Sequence, residues 1–474
     1  MGKKRIAKII YILAMCLAIS SVSFSSSGIN VYEDYYYGLF SFINTFYRTE
    51  LGIDGIMGAA FNGAMENMPE YSCYEIADRD MEAMPEGTGA LLEKVRDGFI
   101  VVSVNPSSPA YDAGIKPGDI IHRVDKQNAA VMGIYAFNTY MQTNGSAVLE
   151  IIDRDTGYIR TERIGAASGY MQTVDFLFLD DAGYMRIKGF DSDTAGRVKG
   201  ALDSMKELGQ ANLIIDLRDM VSMNIDDASK VADLLVPGGT IARTQAGTYN
   251  ASPKEIGFKV SLLINQYTKG AGEVIAAAVN GTSYGAATAG EAVYIRKYPV
   301  FTDSAFLKYS REAGSSDVRA MLNYIKYRKV EVPEGYVAGY LNIVESGVYN
   351  SSGRLISEKA KVEPDVFITD TSIGYMDYKP DGDIIEVRRD YAEGSVNYDV
   401  YSAKRILALL GIYTGPMDVV FGPEMTTAVN YYKKSRGYPA DGILDMGIQA
   451  VLNTYAMKAA VMNDECVKAA LLGF

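Results

Sequence analysis

The sequence has few histidines, few cysteines and a shortage of positive charge, and each shortage excludes a kind of site. Its 474 residues include one histidine, His122, so a histidine-dependent catalytic triad is excluded unless His122 itself takes part. Three cysteines supply neither a disulfide framework nor a metal cluster. A formal net charge of −12 argues against nucleic acid as a partner. No GxGxxG or Walker pattern occurs, so we expect no nucleotide cofactor, and no other cofactor is indicated.

The amino-terminal segment predicts export. Four basic residues among the first eight precede an apolar run, 9–19, and a serine-rich stretch, 20–27. This arrangement is typical of a signal peptide. Because the run is shorter than the roughly 20 residues that span a bilayer, a cleaved signal peptide and a signal anchor in the cytoplasmic membrane both remain open over 1–28. Either alternative places the remaining chain outside the cytoplasm, where Cys73 and Cys466 could form one disulfide bond.

A glycine-rich loop that leads into a strand predicts a peptide site. The loop and the start of the strand are Gly87, Thr88, Gly89, Ala90 and Leu91. With the SPA sequence at 108–110 and AGIKPGD at 113–119, this order resembles the PDZ domain embedded in tail-specific peptidases, and we assign a PDZ domain to 87–165. Successive backbone N–H groups of the loop would hold a protein's terminal carboxylate, and the next strand edge would pair with its chain. Alternatively, the loop only joins two strands and its glycines only permit positive φ.

Strands and helices alternate after this domain. Apolar periodicity predicts a strand over 183–187, a helix over 194–208 and a buried strand over 213–217. Together with the YNSSGRLISEKAKVEPD sequence at 349–365, this order resembles the C-terminal processing peptidases, the tail-specific serine proteases of family S41. The resemblance implies an α/β protease-like core of the ClpP/crotonase-like kind over 166–385, with the β-rich PDZ domain inserted near its start.

The turn that carries the serine nucleophile in that family contains a glycine here. Residues 261–291 read as a buried strand, a tight turn, an apolar helix and a second strand that ends in Gly290-Glu291. In the family frame N-E-x-S-A-S-A-S-E-I the middle serine is the nucleophile, and its position falls on Gly270. A serine protease needs an oxygen at this position to attack the carbonyl carbon. The resemblance therefore implies that the ordinary nucleophile is absent.

Two other parts of the implied site also depart from the family pattern. Counted from Glu291, Arg296 takes the place of the family's lysine base and Lys297 comes one residue late. Arginine does not lose its proton in a protein, so only Lys297 could serve as a base, after a shift of register. The glycines that help to form the family's oxyanion hole are replaced by Ser222 and Met223.

Two alternatives to an abandoned catalytic site remain open. The sequence around Gly270 could simply be a small-residue turn into a helix, because such turns are common and motif alignments slip easily. A hydroxyl elsewhere, from Ser283 or Thr268, could instead be a displaced nucleophile that works with Lys297.

The carboxyl-terminal part predicts a separate helical module. Residues 400–454 read as a helix, a Gly-Pro turn, a second helix, an Asp-Gly turn and a short third helix. They resemble the small peptidoglycan-binding domain of cell-wall hydrolases, and we assign a three-helix module to 396–460. The resemblance implies peptidoglycan as a partner, whereas Tyr413, Phe421 and Tyr432 could equally have a packing role.

Two segments carry no motif. Tyrosine, phenylalanine and methionine at helix-like spacing predict a helical arm over 29–86, which the resemblance implies could support a homo- or hetero-dimer. Residues 296–332 are longer than the corresponding part of the family and include Arg311, Arg319, Lys326, Arg328 and Lys329 among tyrosines. This stretch could be an interaction surface or simply a solvated helix.

Taken together, these features predict an exported protein that captures protein C-termini through its PDZ domain and docks at the wall without Ser-Lys proteolysis. One alternative is an active serine-type endopeptidase whose nucleophile and base have moved. Another is a regulator that forms a mixed dimer with a catalytic sister protease.

Overall fold

The computed structural model describes residues 60–66, 68–76, 87–105, 108–167, 173–315, 318–373, 385, 387 and 389–474. The predicted signal segment, 1–28, lies outside these residues, as does most of the predicted arm, 29–86. In the part of the chain that is described, no helix combines the length and the apolar character needed to cross a membrane.

The first described elements form one strand and a β-rich domain. They are β1 (Cys73–Ile76), β2 (Ala90–Val95), β3 (Gly98–Val104), α1 (Pro109–Asp112), β4 (Ile120–Val124), β5 (Gln127–Asn128), a 3₁₀ helix (Ala129–Val131), α2 (Ile134–Asn144), β6 (Ser146–Ile152) and β7 (Ile159–Gly165). The antiparallel sheet of the domain has the order β2-β3-β4-β6-β7, with β5 on β4. Alternation along β6 turns Leu149 inward against Phe137 of α2. The identity of this domain as a PDZ domain stays a prediction.

The next elements form the core and a strand pair that projects from it. They are β8 (Val174–Phe178), β9 (Gly183–Ile187), α3 (Thr194–Glu207), β10 (Asn212–Asp216), β11 (Val221–Ser222), α4 (Ile225–Leu235), β12 (Gly239–Thr244), β13 (Gly247–Ala251), β14 (Lys259–Ile264), β15 (Lys269–Gly270), α5 (Ala271–Ala278), β16 (Thr282–Gly285), β17 (Val293–Phe301), α6 (Asp303–Ala313), α7 (Val318–Arg328), a 3₁₀ helix (Glu334–Tyr336), β18 (Val337–Gly347), β19 (Tyr349–Asn350) and β20 (Val366–Phe367).

The core is a sheet with the strand order β20-β16-β14-β10-β9-β8, in which only β8 runs antiparallel to its neighbour. Side chains of β10 alternate between its faces. Leu213 and Ile215 pack with α3, α4 and α5, whereas Ile214 faces the opposite side. Both faces are covered, which accounts for the uninterrupted apolar run in the sequence. This sheet confirms the α/β class of the predicted core.

One segment differs from its predicted structure, and a second agrees with it only in part. Within the predicted helical arm, Cys73–Ile76 is a strand, because it completes the edge of the β17–β18 ribbon by pairing with β18. The stretch predicted as an interaction surface or solvated helix, 296–332, begins within strand β17 and continues into the helices α6 and α7. No local sequence pattern indicates that β1 pairs with β18, or that residue 296 lies within a strand.

The carboxyl-terminal module contains the three predicted helices and is followed by a fourth that was not predicted. The helices are α8 (Tyr398–Leu409), α9 (Pro423–Ser435), α10 (Met446–Asn463) and α11 (Glu465–Leu472). Phe421, Tyr413 and Tyr432 are buried in the core of the module, which supports a packing role for them. The end of α10 and the whole of α11 leave the module and pack on the core sheet, against Ile214 and Leu263.

The possible disulfide bond between Cys73 and Cys466 is absent, and both cysteines are free and buried. Cys73 lies in β1, where Asn342 contacts its sulfur at 3.6 Å, while Cys466 lies in α11 and contacts the carbonyl oxygen of Asp370 at 3.6 Å. Burial raises the pKa of the Cys73 thiol to about 11 and that of Cys466 to about 12. Both sulfurs therefore remain protonated and unreactive at neutral pH.

Candidate functional site

Gly270 lies at the sharp turn between the strand β14 and the helix α5. Its φ of 58° and ψ of −106° belong to a region that residues with a Cβ atom avoid. The turn is held by the loop that follows β10, since Ser222 pairs with Gly270 as parallel strands. The predicted nucleophile position and the predicted oxyanion position are therefore neighbours.

The space above Gly270 is filled. A Cβ atom built on Gly270 would stand 2.3 Å from the carbonyl oxygen of Ser222 and 2.6 Å from the sulfur of Met223. Both distances are far below van der Waals contact, and Met223 itself is buried. The side chain at the predicted oxyanion position thus occupies the volume that a serine at 270 would need.

A buried carboxylate, that of Glu273, joins the Gly270 turn to the segment that follows β16. Its Oε2 accepts hydrogen bonds from Gly270 N at 3.0 Å and from Glu291 N at 2.9 Å. Its Oε1 accepts from Thr288 Oγ1 at 2.6 Å and from Gly290 N at 2.5 Å. Burial raises the pKa of Glu273 although all four donors oppose this rise. One oxygen atom therefore places the backbone of residue 291 next to that of residue 270.

Glu291 is the ionisable residue that this arrangement brings to the turn, and sequence reasoning did not assign it a role. Its carboxylate pairs with Lys269 Nζ at 2.9 Å and accepts a hydrogen bond from Tyr71 at 3.4 Å. No local sequence signal marks it, because the four hydrogen bonds of the Glu273 side chain that bring residues 288–291 to the turn are visible only in the structure. A carboxylate paired with lysine is no substitute for a neutral lysine base.

Arg296 and Lys297, the two predicted base positions, lie on strand β17 and pair with other groups. Arg296 forms a salt bridge with Glu345 at 3.1 Å, and Lys297 forms one with Glu75 at 2.8 Å. Burial lowers the pKa of Lys297, but the Glu75 carboxylate outweighs burial and raises this pKa above its ordinary value. A general base needs the opposite shift, so this lysine holds its proton too tightly for the role. The base assignment itself stays a prediction.

The two candidate displaced nucleophiles have structural partners. Thr268 is fully buried, and its hydroxyl donates to the carbonyl oxygen of Leu217 at 2.9 Å. The hydroxyl of Ser283 donates to Asp365 Oδ2 at 2.8 Å and accepts from the backbone N–H of Asp365 at 3.0 Å. Among the described residues, neither hydroxyl shares a hydrogen bond with Lys297.

The carbonyl groups of the predicted peptide-binding loop are hydrogen-bonded to the rest of its domain. The carbonyl oxygens of Gly87, Thr88 and Gly89 accept backbone hydrogen bonds of 2.8 to 3.0 Å from the surrounding domain. Within the described part of the chain, the hydroxyl of buried Thr88 and the side-chain oxygen of Asn138 have no hydrogen-bond partner. Gly89 has a φ of 86° and contacts Ser108, so a larger residue would not fit there.

Strand β2, which follows the loop, lies at the edge of its sheet, as peptide addition requires. Its far end is already covered, because Arg96 N donates to the carbonyl oxygen of Glu70 at 3.1 Å and Cys73 contacts the carbonyl oxygen of Lys94 at 3.5 Å. The open part of the edge is the short stretch at Ala90 and Leu91, next to the loop.

One side chain of β2 links this edge to the Gly270 turn. Glu93 accepts a hydrogen bond from the Ser222 hydroxyl at 2.5 Å and another from Met223 N at 3.2 Å. Burial raises the pKa of Glu93. The β-rich domain is therefore hydrogen-bonded to Ser222 and Met223, the residues at the predicted oxyanion position. The ring of His122 in the same domain contacts the carbonyl oxygen of Asp97 at 3.0 Å, which supports a structural role.

A cavity of about 270 Å³ lies between the β-rich domain and the core. Arg154 and Gly118 line it from the domain, and Tyr267, Lys269 and Glu291 line it from the core. The Arg154 guanidinium stacks 3.7 Å from the centre of the Tyr267 ring. The cavity therefore lies beside the Gly270 turn, with charged side chains from both the domain and the core in its lining.

The raised pKa of Glu93 predicts a pH-dependent contribution to stability. A carboxyl with a raised pKa in the folded state contributes stability below its unfolded pKa of about 4.3, and loses it as pH rises through the folded value. Glutamine stays neutral, so we expect wild-type stability to fall relative to Glu93→Gln between pH 4.5 and pH 8. Urea unfolding of both proteins across this range measures the difference, and a constant difference would contradict the expectation.

The fold and the site together define a peptidase-like α/β core joined to a β-rich domain and a helical module. Residues 181–368 match peptidase family S41, and residues 397–452 match the family described as "Putative peptidoglycan binding domain". These matches confirm the predicted resemblance to family S41: residues 181–368 are similar to an S41 peptidase domain, and a peptidoglycan-binding-like module follows. The second match suggests a location outside the cytoplasmic membrane.

Curated relatives agree with these matches. A "Probable CtpA-like serine protease" from Staphylococcus aureus strain N315 is 26% identical over 301 residues, which are 57% of this chain and 59% of the relative. The match thus spans less than two thirds of that relative's length. A protein of the same description from Staphylococcus epidermidis is 21% identical over 424 residues, covering 85% of this chain and 78% of the relative.

One solved structure that is similar to this chain is described as a photosystem II D1 C-terminal processing protease. It is 18% identical to this chain, covers 69% of this chain and 84% of its own, and has a TM-score of 0.47.

Proposed function

We propose that this protein is an exported member of the C-terminal processing peptidase group that captures protein C-termini and does not hydrolyse them by Ser-Lys chemistry. The observation that carries the proposal is the filled space at Gly270. A glycine supplies no nucleophile, and Met223 with the carbonyl oxygen of Ser222 leaves no room for one. The raised pKa of Lys297 supports the same conclusion for the base.

Capture of C-termini is supported by the loop at Gly87–Gly89 and by the open edge of β2. The loop carbonyls bond to the domain, so the N–H groups of the same peptides point the other way, where a carboxylate could accept from them. The oxygen atoms of Thr88 and Asn138 that have no hydrogen-bond partner among the described residues are buried beneath this loop.

The helical module would hold this peptide site at the cell wall, with peptidoglycan as its ligand. Its third helix continues directly into the core, and Val461 and Val467 pack on the sheet face. The module is therefore attached rigidly to the core through α10 and α11. Export follows from the predicted signal peptide or anchor at 1–28, which would supply the compartment that the module needs.

Binding of labelled peptides to the full-length protein tests the proposal. We expect peptides with a free terminal carboxylate to bind about 10 to 100 times more tightly than the same peptides ending in an amide, because charge-assisted hydrogen bonds each contribute about 1.5–3 kcal/mol. Gly89→Ala should remove the preference, since a Cβ at Gly89 would stand 2.2 Å from Ser108. Fluorescence anisotropy measures both affinities.

Gly157→Ala is the matched control for this experiment. Gly157 lies in the same domain and also has positive φ, but no atom lies within 4 Å of its added Cβ. The control should keep the preference for the carboxylate. Equal binding of acid and amide peptides by the wild type would refute capture of C-termini.

A further inference from the structure

Among the described residues, the helices α6 and α7 form a small pair that packs on itself and on the ends of the strands that carry it. Its buried residues are Ala305, Tyr309 and Met321, and the described apolar side chains packed around them lie between Phe301 and Tyr336. The pair therefore adds nothing to the main core. An element that is folded but gives no support to the rest of the structure has its exposed face available for a partner.

The charge of this pair contrasts with that of the whole chain. The formal net charge of the protein is −12, yet α7 contains three basic residues and no acidic one, and Lys329 follows it directly. Lys326, Arg328 and Lys329 are exposed. None of these three forms an ion pair with a residue whose side chain is described. A concentrated positive surface of this kind attracts anionic partners.

Exposed apolar side chains accompany the cations. Tyr327 is 81% exposed and lies between Lys326 and Arg328, while Leu307 of α6 is 54% exposed and Val318 of α7 is 49% exposed. Tyrosine next to lysine and arginine is typical of surfaces that lie in the headgroup layer of a membrane, where the ring is partly buried and the cations meet phosphates.

We propose that the α6–α7 pair docks on an anionic phospholipid surface. The charges argue against a second copy of the chain as the occupant, because a two-fold contact would set the basic face of one α7 against the same face of its partner. A membrane rich in anionic lipid has the complementary charge and tolerates the exposed tyrosine. Contact here would present the β-rich domain and the core close to the membrane surface.

A single tryptophan can report this contact, because the chain contains no tryptophan of its own. In the full-length Tyr327→Trp protein, vesicles of phosphatidylglycerol and phosphatidylcholine should shift the emission to shorter wavelength and reduce quenching by iodide roughly threefold. Pure phosphatidylcholine vesicles, or high salt, should abolish both changes. Tyr158→Trp is the control, since Tyr158 is 79% exposed on the β-rich domain and should not respond. This readout is local, so it does not depend on whether the amino-terminal segment also enters the vesicle.

Charge reversal tests the role of the cations. Lys326→Glu, Arg328→Glu and Lys329→Glu, combined with Tyr327→Trp, should abolish the spectral change. The control reversal of Lys126, Arg163 and Lys206, exposed cations elsewhere, makes the same change in net charge and should leave the signal intact.

Three results would overturn the proposal. The first is an equal effect of both charge reversals, and the second is an equal response of the Tyr327→Trp and Tyr158→Trp proteins to vesicles. The third is a spectral change in Tyr327→Trp that follows protein concentration without vesicles, which would indicate contact between protein copies.

Discussion

Gly270→Ser is expected to destabilise the protein by about 2 to 6 kcal/mol and to confer no peptidase activity. Two costs add together. A residue other than glycine held at positive φ in this region costs about 1–3 kcal/mol, and overpacking a well-filled site costs about 1–3 kcal/mol. Both apply because Gly270 has a φ of 58° and its Cβ would press on Ser222 and Met223. Urea unfolding followed by circular dichroism measures the loss.

Gly209→Ser separates the two costs. Gly209 has a φ of 68°, but no atom lies within 4 Å of its added Cβ, so this variant should lose only about 1–2 kcal/mol. In a double-mutant cycle, Gly270→Ser should cost less in the Met223→Gly protein than in the wild type, although the carbonyl oxygen of Ser222 still lies too close to the added Cβ. A stable Gly270→Ser protein that cleaves peptides would mean that the site is one substitution from activity.

Asp464→Ala is expected to cost about 3–5 kcal/mol, since it breaks a buried ion pair and leaves an arginine without one of its two carboxylates. Arg218 is fully buried and contacts Asp216 at 2.6 Å and Asp464 at 2.8 Å. Asp464 also begins helix α11, where its side chain accepts hydrogen bonds from the N–H groups of Cys466 and Val467. The variant should therefore loosen both the helix and the loop that carries Ser222.

A surface pair supplies the control for Asp464→Ala. Asp180 pairs with Lys458 at 2.8 Å but is 78% exposed, so Asp180→Ala should leave the stability almost unchanged. A loss of stability in Asp464→Ala no larger than that in Asp180→Ala would refute the stabilising role of Asp464.

The ion pair between Asp216 and Arg218 makes stability depend on pH. Burial alone would raise the pKa of Asp216, yet Arg218 holds this pKa below its ordinary value. The stability that the ion pair contributes is present above the unfolded pKa of about 3.9 and is lost only as pH falls through the folded value. The ion pair of Asp216 with Arg218 should hence contribute equally at pH 6 and pH 8.

Local signals predicted the order of elements well. The helix predicted over 194–208 is Thr194–Glu207, and the Gly-Pro and Asp-Gly turns correctly separated three helices in the module. Such signals act over a few residues, through caps, turns and periodicity. Helix α11 was missed because its apolar face makes sense only against Ile214 and Leu263, about 200 to 250 residues earlier.

The candidate site could be predicted only in part, for the same reason. The sequence indicated which residues differ from the motifs of family S41, but it could not show that Met223 fills the space at Gly270. It also could not show that Glu273 brings Glu291, rather than Lys297, to the turn. Glu93 lies 129 residues from Ser222, and no spacing rule links two positions so far apart.

The integrity of a bound peptide tests the central claim most directly. A peptide with a free carboxylate is incubated with the full-length wild-type protein above its dissociation constant, and mass spectrometry follows its length over a day. The account predicts a peptide that is bound and intact. Cleavage that disappears in Lys297→Ala or Ser283→Ala would contradict it, because a displaced nucleophile and base would then perform the chemistry that Gly270 cannot.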